Sequence, residues 1–139
     1  MVNKNLKDHR EIGQEQDLFV ISDMVGAGLP LFTPKGAILR KLVEEYIFNL
    51  LHKEGYDHVW TPHIARKKLF ETSGHYEKFK EDMFPVMEAK DREYILKAMS
   101  CPLHIEIFNR KPVSYREMPQ RYAETATVYR SEQSGELAG

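Results

Sequence analysis

Near the C-terminal end of this 139-residue sequence, an arginine and a glutamate, Arg130 and Glu132, flank a single residue. If both lie on one strand, the period of two turns them to the same face and Ser131 to the other. In one pocket, the guanidinium could hold a phosphate bidentately and the carboxylate could accept from an amine. The same spacing also describes a surface strand pair, which contributes only about 0–1 kcal/mol. The sole cysteine, Cys101, follows the run Tyr94-Ile95-Leu96-Lys97-Ala98-Met99-Ser100 and precedes Pro102, which predicts a strand-to-helix junction. A single cysteine packs as a small buried hydrophobe. It serves a metal only if other ligands converge on it. His104 lies three residues on, but Cys-x-x-His without a second cluster is a poor zinc signal, and the histidines show no His-x-x-x-His spacing. There is no Ser-His-Asp or nucleophile-elbow pattern. Gly26-Ala27-Gly28 opens no phosphate-binding motif and reads as a turn between strands.

The elements that must position these residues follow from composition and periodicity. With 42% hydrophobic residues, the chain can bury one core, and a single domain is expected. A net charge of −1 gives no overall basic field for nonspecific nucleic-acid binding, though local contacts to a tRNA or nucleotide need none. One cysteine allows no internal disulfide. The first residues lack the apolar core of a signal peptide, and no apolar run nears the ~20 residues of a membrane span, so a cytoplasmic protein is expected.

Leu18-Phe19-Val20-Ile21 predicts a buried strand and Leu31-Phe32-Thr33 a second extended stretch. Thr33 as N-cap and Pro34 at the first position predict a helix that runs to about Lys53, with Gly55 just past its end. At ~100° per residue its apolar side chains cover roughly 220° of the circumference, and Phe48 falls among the charges on the rest. So wide a band, with an aromatic on the polar arc, points to a second burial partner. Asp57 to Trp60 predicts a strand ended by Thr61-Pro62, because proline cannot donate to a ladder. Arg66 to Thr72 predicts a short helix, with a polar helical or loop piece at residues 75–80. Strands are expected over residues 83–87 and 93–99 around a Lys90-Asp91 turn. A helix entered at Pro102 and a strand from Tyr122 to Tyr129 follow. The mixture predicts an α+β fold with a mainly antiparallel sheet and flanking helices.

Together these residues resemble the threonyl-tRNA synthetases, a family of class II aminoacyl-tRNA synthetases. The resemblance runs through nearly the whole chain, from Asp8-His9-Arg10-Glu11 and Gly28-Leu29-Pro30-Leu31-Phe32-Thr33-Pro34 onward. Residues 35–62, ending in Val59-Trp60-Thr61-Pro62, look like motif 1, which builds the family's dimer interface; this implies a homodimer with Phe48 and Pro62 at the interface. Tyr129-Arg130-Ser131-Glu132 looks like motif 2, whose first half would span about residues 121–139. Motif 2 implies that Arg130 holds the ATP α-phosphate and that Glu132 helps place nucleotide and amino acid. Met99-Ser100-Cys101-Pro102-Leu103-His104, followed by Ser114-Tyr115-Arg116-Glu117-Met118-Pro119, resembles the threonine enzyme in particular, with Ser100 where asparagine is common. It implies that Met99 lines the threonine pocket and that Cys101 is one of three zinc ligands. The other two are histidines, expected beyond Gly139.

The resemblance therefore implies a single partial catalytic domain over residues 1–139, with ATP (and magnesium) and zinc as cofactors. Threonine and tRNA(Thr) would be the substrates, no membrane is involved, and the 139 residues alone are expected to be inactive. A non-catalytic dimerising fragment and another class II synthetase, such as the prolyl enzyme, are the alternatives.

Overall fold

The computed structural model describes residues 7–132. Residues 1–6 and residues 133–139 of the motif 2 span lie outside the described residues. The chain divides into two compact units, Met1–Leu50 and Leu51–Gly139.

The first unit opens with helix α1 (His9–Glu15), capped by Asp8, whose carboxylate accepts the Arg10 N–H at 2.8 Å. The Arg10 guanidinium bonds the same carboxylate and holds its pKa far below the usual carboxylate range. Strand β1 (Phe19–Val20) pairs antiparallel with β2 (Leu31–Phe32), with Phe19 opposite Phe32. The expected buried strand at residues 18–21 is thus a two-residue piece, and its Val20 and the following Ile21 stay nearly half exposed. A two-stranded ribbon has no third strand or second layer to cover both faces.

Helix α2 (Pro34–Lys53) starts as its sequence predicts: Thr33 Oγ1 accepts the Gly36 N–H at 3.2 Å and the Thr33 carbonyl accepts from Ala37. Gly36 is required here because a Cβ would overlap the Leu18 carbonyl. Ile38, Leu42, Val43 and Tyr46 on this helix are each more than half exposed, so its wide apolar band is only partly used within the first unit.

The second unit begins at the last turn of α2, which closes on a Schellman motif. Tyr56 N–H bonds the Leu51 carbonyl, Gly55 N–H bonds His52, and Gly55 takes a φ of 78°. Strand β3 (Asp57–His58) pairs in parallel with β7 (Tyr122–Ala123). Strands β4 (Ile64–Arg66), β6 (Arg92–Leu96) and β5 (Met87–Ala89) form an antiparallel sheet in that order, with Lys90 at positive φ in the β5–β6 turn. Helices α3 (Lys67–Thr72), α4 (His75–Phe79) and α5 (Cys101–Phe108), with a 3-10 turn at Lys80–Asp82, accompany the sheet.

The core of this unit gathers Phe70 from α3, Ile95 from β6, Leu103 from α5, and Met83 and Ala98 from loops. Phe70 and Ile95 are fully buried, each worth about 1.5–3 kcal/mol relative to exposure.

Several strand readings for this unit need correction: the strand expected over residues 93–99 ends at Leu96, and the one from Asp57 to Trp60 ends at His58. The strand at residues 83–87 shifts to Met87–Ala89, because Pro85 has no N–H for a ladder. Strand β4 was not foreseen; three residues are too few to show a period. The strand from Tyr122 to Tyr129 stops at Ala123. Its partner β3 gives out at Val59, whose N–H makes the last bond to Ala123, before Thr61-Pro62. Beyond that point the chain runs without a ladder to Arg130.

Candidate active site

The loop from β6 into α5, helix α4, its following 3-10 turn and the irregular stretch that carries Arg130 and Glu132 enclose a cleft of about 300 Å³. Met99, Cys101, Arg130 and Glu132 all line it, together with His75, Phe79, Asp82 and Ala98. The four residues singled out from sequence for chemistry therefore share one cleft, although Arg130 and Glu132 do not lie on a strand as the period-two argument assumed. Two single backbone bonds replace the ladder. Tyr129 N–H donates to the Lys97 carbonyl at 2.8 Å, and Ser131 N–H donates to the Asp82 carbonyl at 2.8 Å.

Arg130 Nε–H donates to the Ala98 carbonyl at 3.2 Å, which anchors the guanidinium on the loop that carries Met99. Its Nη1 lies 4.0 Å from Glu132 Oε1, the outer limit of an ion pair. At that distance, and with Arg130 about half exposed, the pair contributes little and leaves the guanidinium fork open to a bidentate anion. Cys101 is the first residue of α5 and is exposed, which corrects the reading of it as a small buried hydrophobe. Pro102 follows at the start of the helix, where its missing N–H costs nothing. Ser73 Oγ lies 3.2 Å from the Phe70 carbonyl and 2.9 Å from His75 Nδ1. A hydroxyl has one proton to give; donated to Phe70, it obliges Nδ1 to be the donor and leaves Nε2 of the neutral ring as an acceptor.

The described residues do not by themselves fit zinc. Among them, no three His, Cys, Asp or Glu side chains converge on a point where a metal could sit. A single thiolate falls short of the three protein ligands of an open zinc site.

A buried polar network outside the cleft went unseen in the sequence. Lys97 and Glu124 side chains are 1% and 4% exposed and stand 3.5 Å apart, with Thr61 and His104 completing the group. Burial pushes the Glu124 carboxyl upward, but hydrogen bonds from the Thr61 N–H and hydroxyl and from His104 outweigh it and hold the pKa below the ordinary value. The available signal was Lys97 itself, a charge inside an otherwise apolar run. Of the cleft residues, His75, Phe79 and Asp82 were likewise not foreseen, since a five-residue helix and a turn carry no periodicity. Phe48 is 45% exposed in the first unit, and Pro62 is exposed in the second.

The capping box at Ser114 explains part of the Ser114–Pro119 signature. Ser114 Oγ accepts the Arg116 N–H, and Glu117 Oε2 accepts the Ser114 N–H at 2.9 Å, closing a 3-10 turn at Tyr115–Glu117. Among the described residues, no helix is long and apolar enough to cross a membrane.

Residues 79–139 match the family described as the tRNA synthetase class II core domain (G, H, P, S and T). The chain is 54% identical over 138 residues to a threonine–tRNA ligase of Gloeobacter violaceus, covering 96% of this chain and 22% of that protein. It is 50% identical over 135 residues to the threonine–tRNA ligase of Flavobacterium johnsoniae, again over 96% of this chain and 21% of the relative. The chain thus spans little more than a fifth of the length of these curated relatives.

Among solved structures, a threonyl-tRNA synthetase domain from Cryptosporidium parvum, described as RNA binding, superposes with a TM-score of 0.87 at 36% identity. That similarity covers 96% of this chain and 33% of the other. A Giardia lamblia prolyl-tRNA synthetase in complex with prolyl-adenylate shares the fold, with a TM-score of 0.74 at 18% identity, over 91% of this chain and 26% of that one. Over the segment that it spans, the chain is similar in sequence and fold to threonyl-tRNA synthetases, and its residues 79–139 match the class II core domain.

Proposed function

We propose that this chain is part of the catalytic core of a threonine–tRNA ligase, an enzyme that activates threonine with ATP and transfers it to tRNA(Thr). The observation that carries the reading is the single cleft that gathers Met99, Cys101, Arg130 and Glu132. In the first step, a threonine carboxylate oxygen attacks the α-phosphorus of ATP, and the bond to the β-phosphate breaks to release pyrophosphate. In the second, the terminal ribose hydroxyl of tRNA attacks the acyl carbon and AMP leaves.

Arg130 serves the first step. Its fork holds the α-phosphate bidentately, fixes it in line for attack and offsets the charge that grows on its oxygens. Glu132 accepts hydrogen bonds from the amino acid or the nucleotide on the facing wall. Met99 borders the amino-acid side, and no covalent protein nucleophile is needed. ATP enters with magnesium on its phosphates. Cys101 is a zinc ligand in this reading, and metal analysis of the full-length natural protein checks it. Bound zinc should be lost in Cys101→Ala, whereas retention at the wild-type level removes Cys101 from the ligand set.

The reading carries a cytoplasmic location and a homodimer built on motif 1, with Phe48 and Pro62 at the contact. The exposed apolar face of α2 supports the dimer. Phe48→Asp should turn a dimeric protein monomeric in sedimentation; an unchanged dimer places the interface elsewhere.

Amino-acid-dependent ATP–pyrophosphate exchange by the full-length natural protein tests the activity. Threonine should drive exchange far better than valine or proline. Exchange driven by proline, or by no amino acid, overturns the reading.

A further inference from the structure

We propose that Lys97 and Glu124, joined by Thr61 and His104, are positioning residues. Their buried network fixes the backbone that presents Arg130 and Cys101 to the cleft. None of the four lines the cleft itself. The Lys97 ammonium donates to Thr61 Oγ1 at 2.8 Å and to the Thr61 carbonyl at 3.4 Å, and it faces Glu124 Oε1 at 3.5 Å. It thus makes two hydrogen bonds to Thr61 and one ion pair with Glu124. Glu124 accepts the Thr61 N–H at 2.6 Å and the Thr61 hydroxyl at 2.9 Å on one oxygen, and His104 Nε2 at 3.1 Å on the other. An ionised carboxylate has no proton to give, so Nε2 of His104 must carry one.

A buried ion pair is weak evidence of stabilisation, because apolar side chains of similar volume often serve as well. What distinguishes this one is where its members lie. The carbonyl of Lys97 accepts from Tyr129, and the next carbonyl, that of Ala98, accepts from Arg130 Nε. The N–H of Lys97 donates to the His63 carbonyl at 2.8 Å, so both ends of the Lys97 peptide are bonded while its side chain is held from below. Glu124 precedes Arg130 by six residues on the segment that lost its ladder at Ala123. His104 lies one turn into α5, which begins at Cys101. The network therefore ties together the supports of the two side chains that the cleft presents from different segments. It does so where neither regular strand nor long helix could.

This inference rests on the ligase reading only for the ligand held at Arg130. The test compares Thr61→Val, which removes the hydroxyl between Lys97 and Glu124, with Thr61→Ser, which keeps it, in the full-length natural protein. ATP affinity is measured by calorimetry without amino acid, alongside melting temperature and the KM for ATP in exchange. Thr61→Val should melt within a few degrees of wild type, yet its ATP Kd and KM should rise about 10- to 100-fold, as when supports of a ligand-binding group are removed, and Thr61→Ser should recover wild-type values. The double variant Lys97→Met/Glu124→Gln, which removes both charges with little change in volume, provides a second folded protein and should weaken ATP in the same way. Wild-type ATP affinity in either folded variant overturns the proposal, and so does loss of ATP binding only in step with loss of the fold. If the unaltered protein binds ATP but shows no threonine-dependent exchange, the ligase reading fails while the affinity comparison still decides the positioning role.

Discussion

Replacing Arg130 with lysine keeps the positive charge and removes the fork. The change deletes the Nε–H bond to the Ala98 carbonyl, a charged donor on a neutral acceptor at 3.2 Å. Such a bond is worth about 1.5–3 kcal/mol. The ammonium that replaces it acts as a point charge and cannot bridge two phosphate oxygens in a fixed plane. Little is gained back from Glu132, whose contact with Arg130 is already at 4.0 Å. If the loss falls on the transition state, about 1.5–3 kcal/mol corresponds to a fall in kcat/KM for ATP of about 10- to 150-fold.

The same bond is part of the folded chain, so the melting temperature should fall by a few degrees, and by no more because the side chain is about half exposed and outside the buried core. The assay is threonine-dependent ATP–pyrophosphate exchange by the full-length natural protein, with melting temperature as the control. Activity within about threefold of wild type, where the expected loss is at least tenfold, refutes the role of the anchored fork.

Two further outcomes follow from the packing. Gly36→Ala should destabilise the protein by about 1–3 kcal/mol, since the new Cβ overlaps the Leu18 carbonyl and that cost exceeds the gain in helix propensity; a thermal melt at or above wild type contradicts this. Glu124 carries a folded pKa below its ordinary 4.5, so its contribution is fully present above 4.5 and is lost as pH falls through the folded value. The gap in melting temperature between wild type and Glu124→Gln should therefore shrink from neutral pH to about pH 3. An equal gap across that range removes Glu124 from the acid dependence.

How much of this was legible depended on whether the information was local. The start and end of α2 were, because Thr33, Pro34 and Gly55 act through their own backbone hydrogen bonds and dihedral angles. The Lys90-Asp91 turn and the entry into α5 were legible for the same reason, whereas the bounds of β5 and β6 were not. The shared cleft was legible only as residue types. Arg130 and Glu132 meet there through single backbone bonds to Lys97 and Asp82, and these have no sequence period. The pairing of Lys97 with Glu124 brings together residues 27 apart, and Thr61 lies a further 36 before Lys97. No local pattern encodes such closure. The apolar face of α2 was read as needing a second partner, and it remains exposed in the first unit.

The most direct measurement of the central claim is a crystal structure of the full-length natural protein with a nonhydrolysable threonyl-adenylate analogue. The expected result places the phosphate-mimicking group within hydrogen-bond reach of the Arg130 guanidinium and the threonyl end beside Met99 and Cys101. An analogue seated outside this cleft, or one held in it without contact to Arg130, contradicts the account.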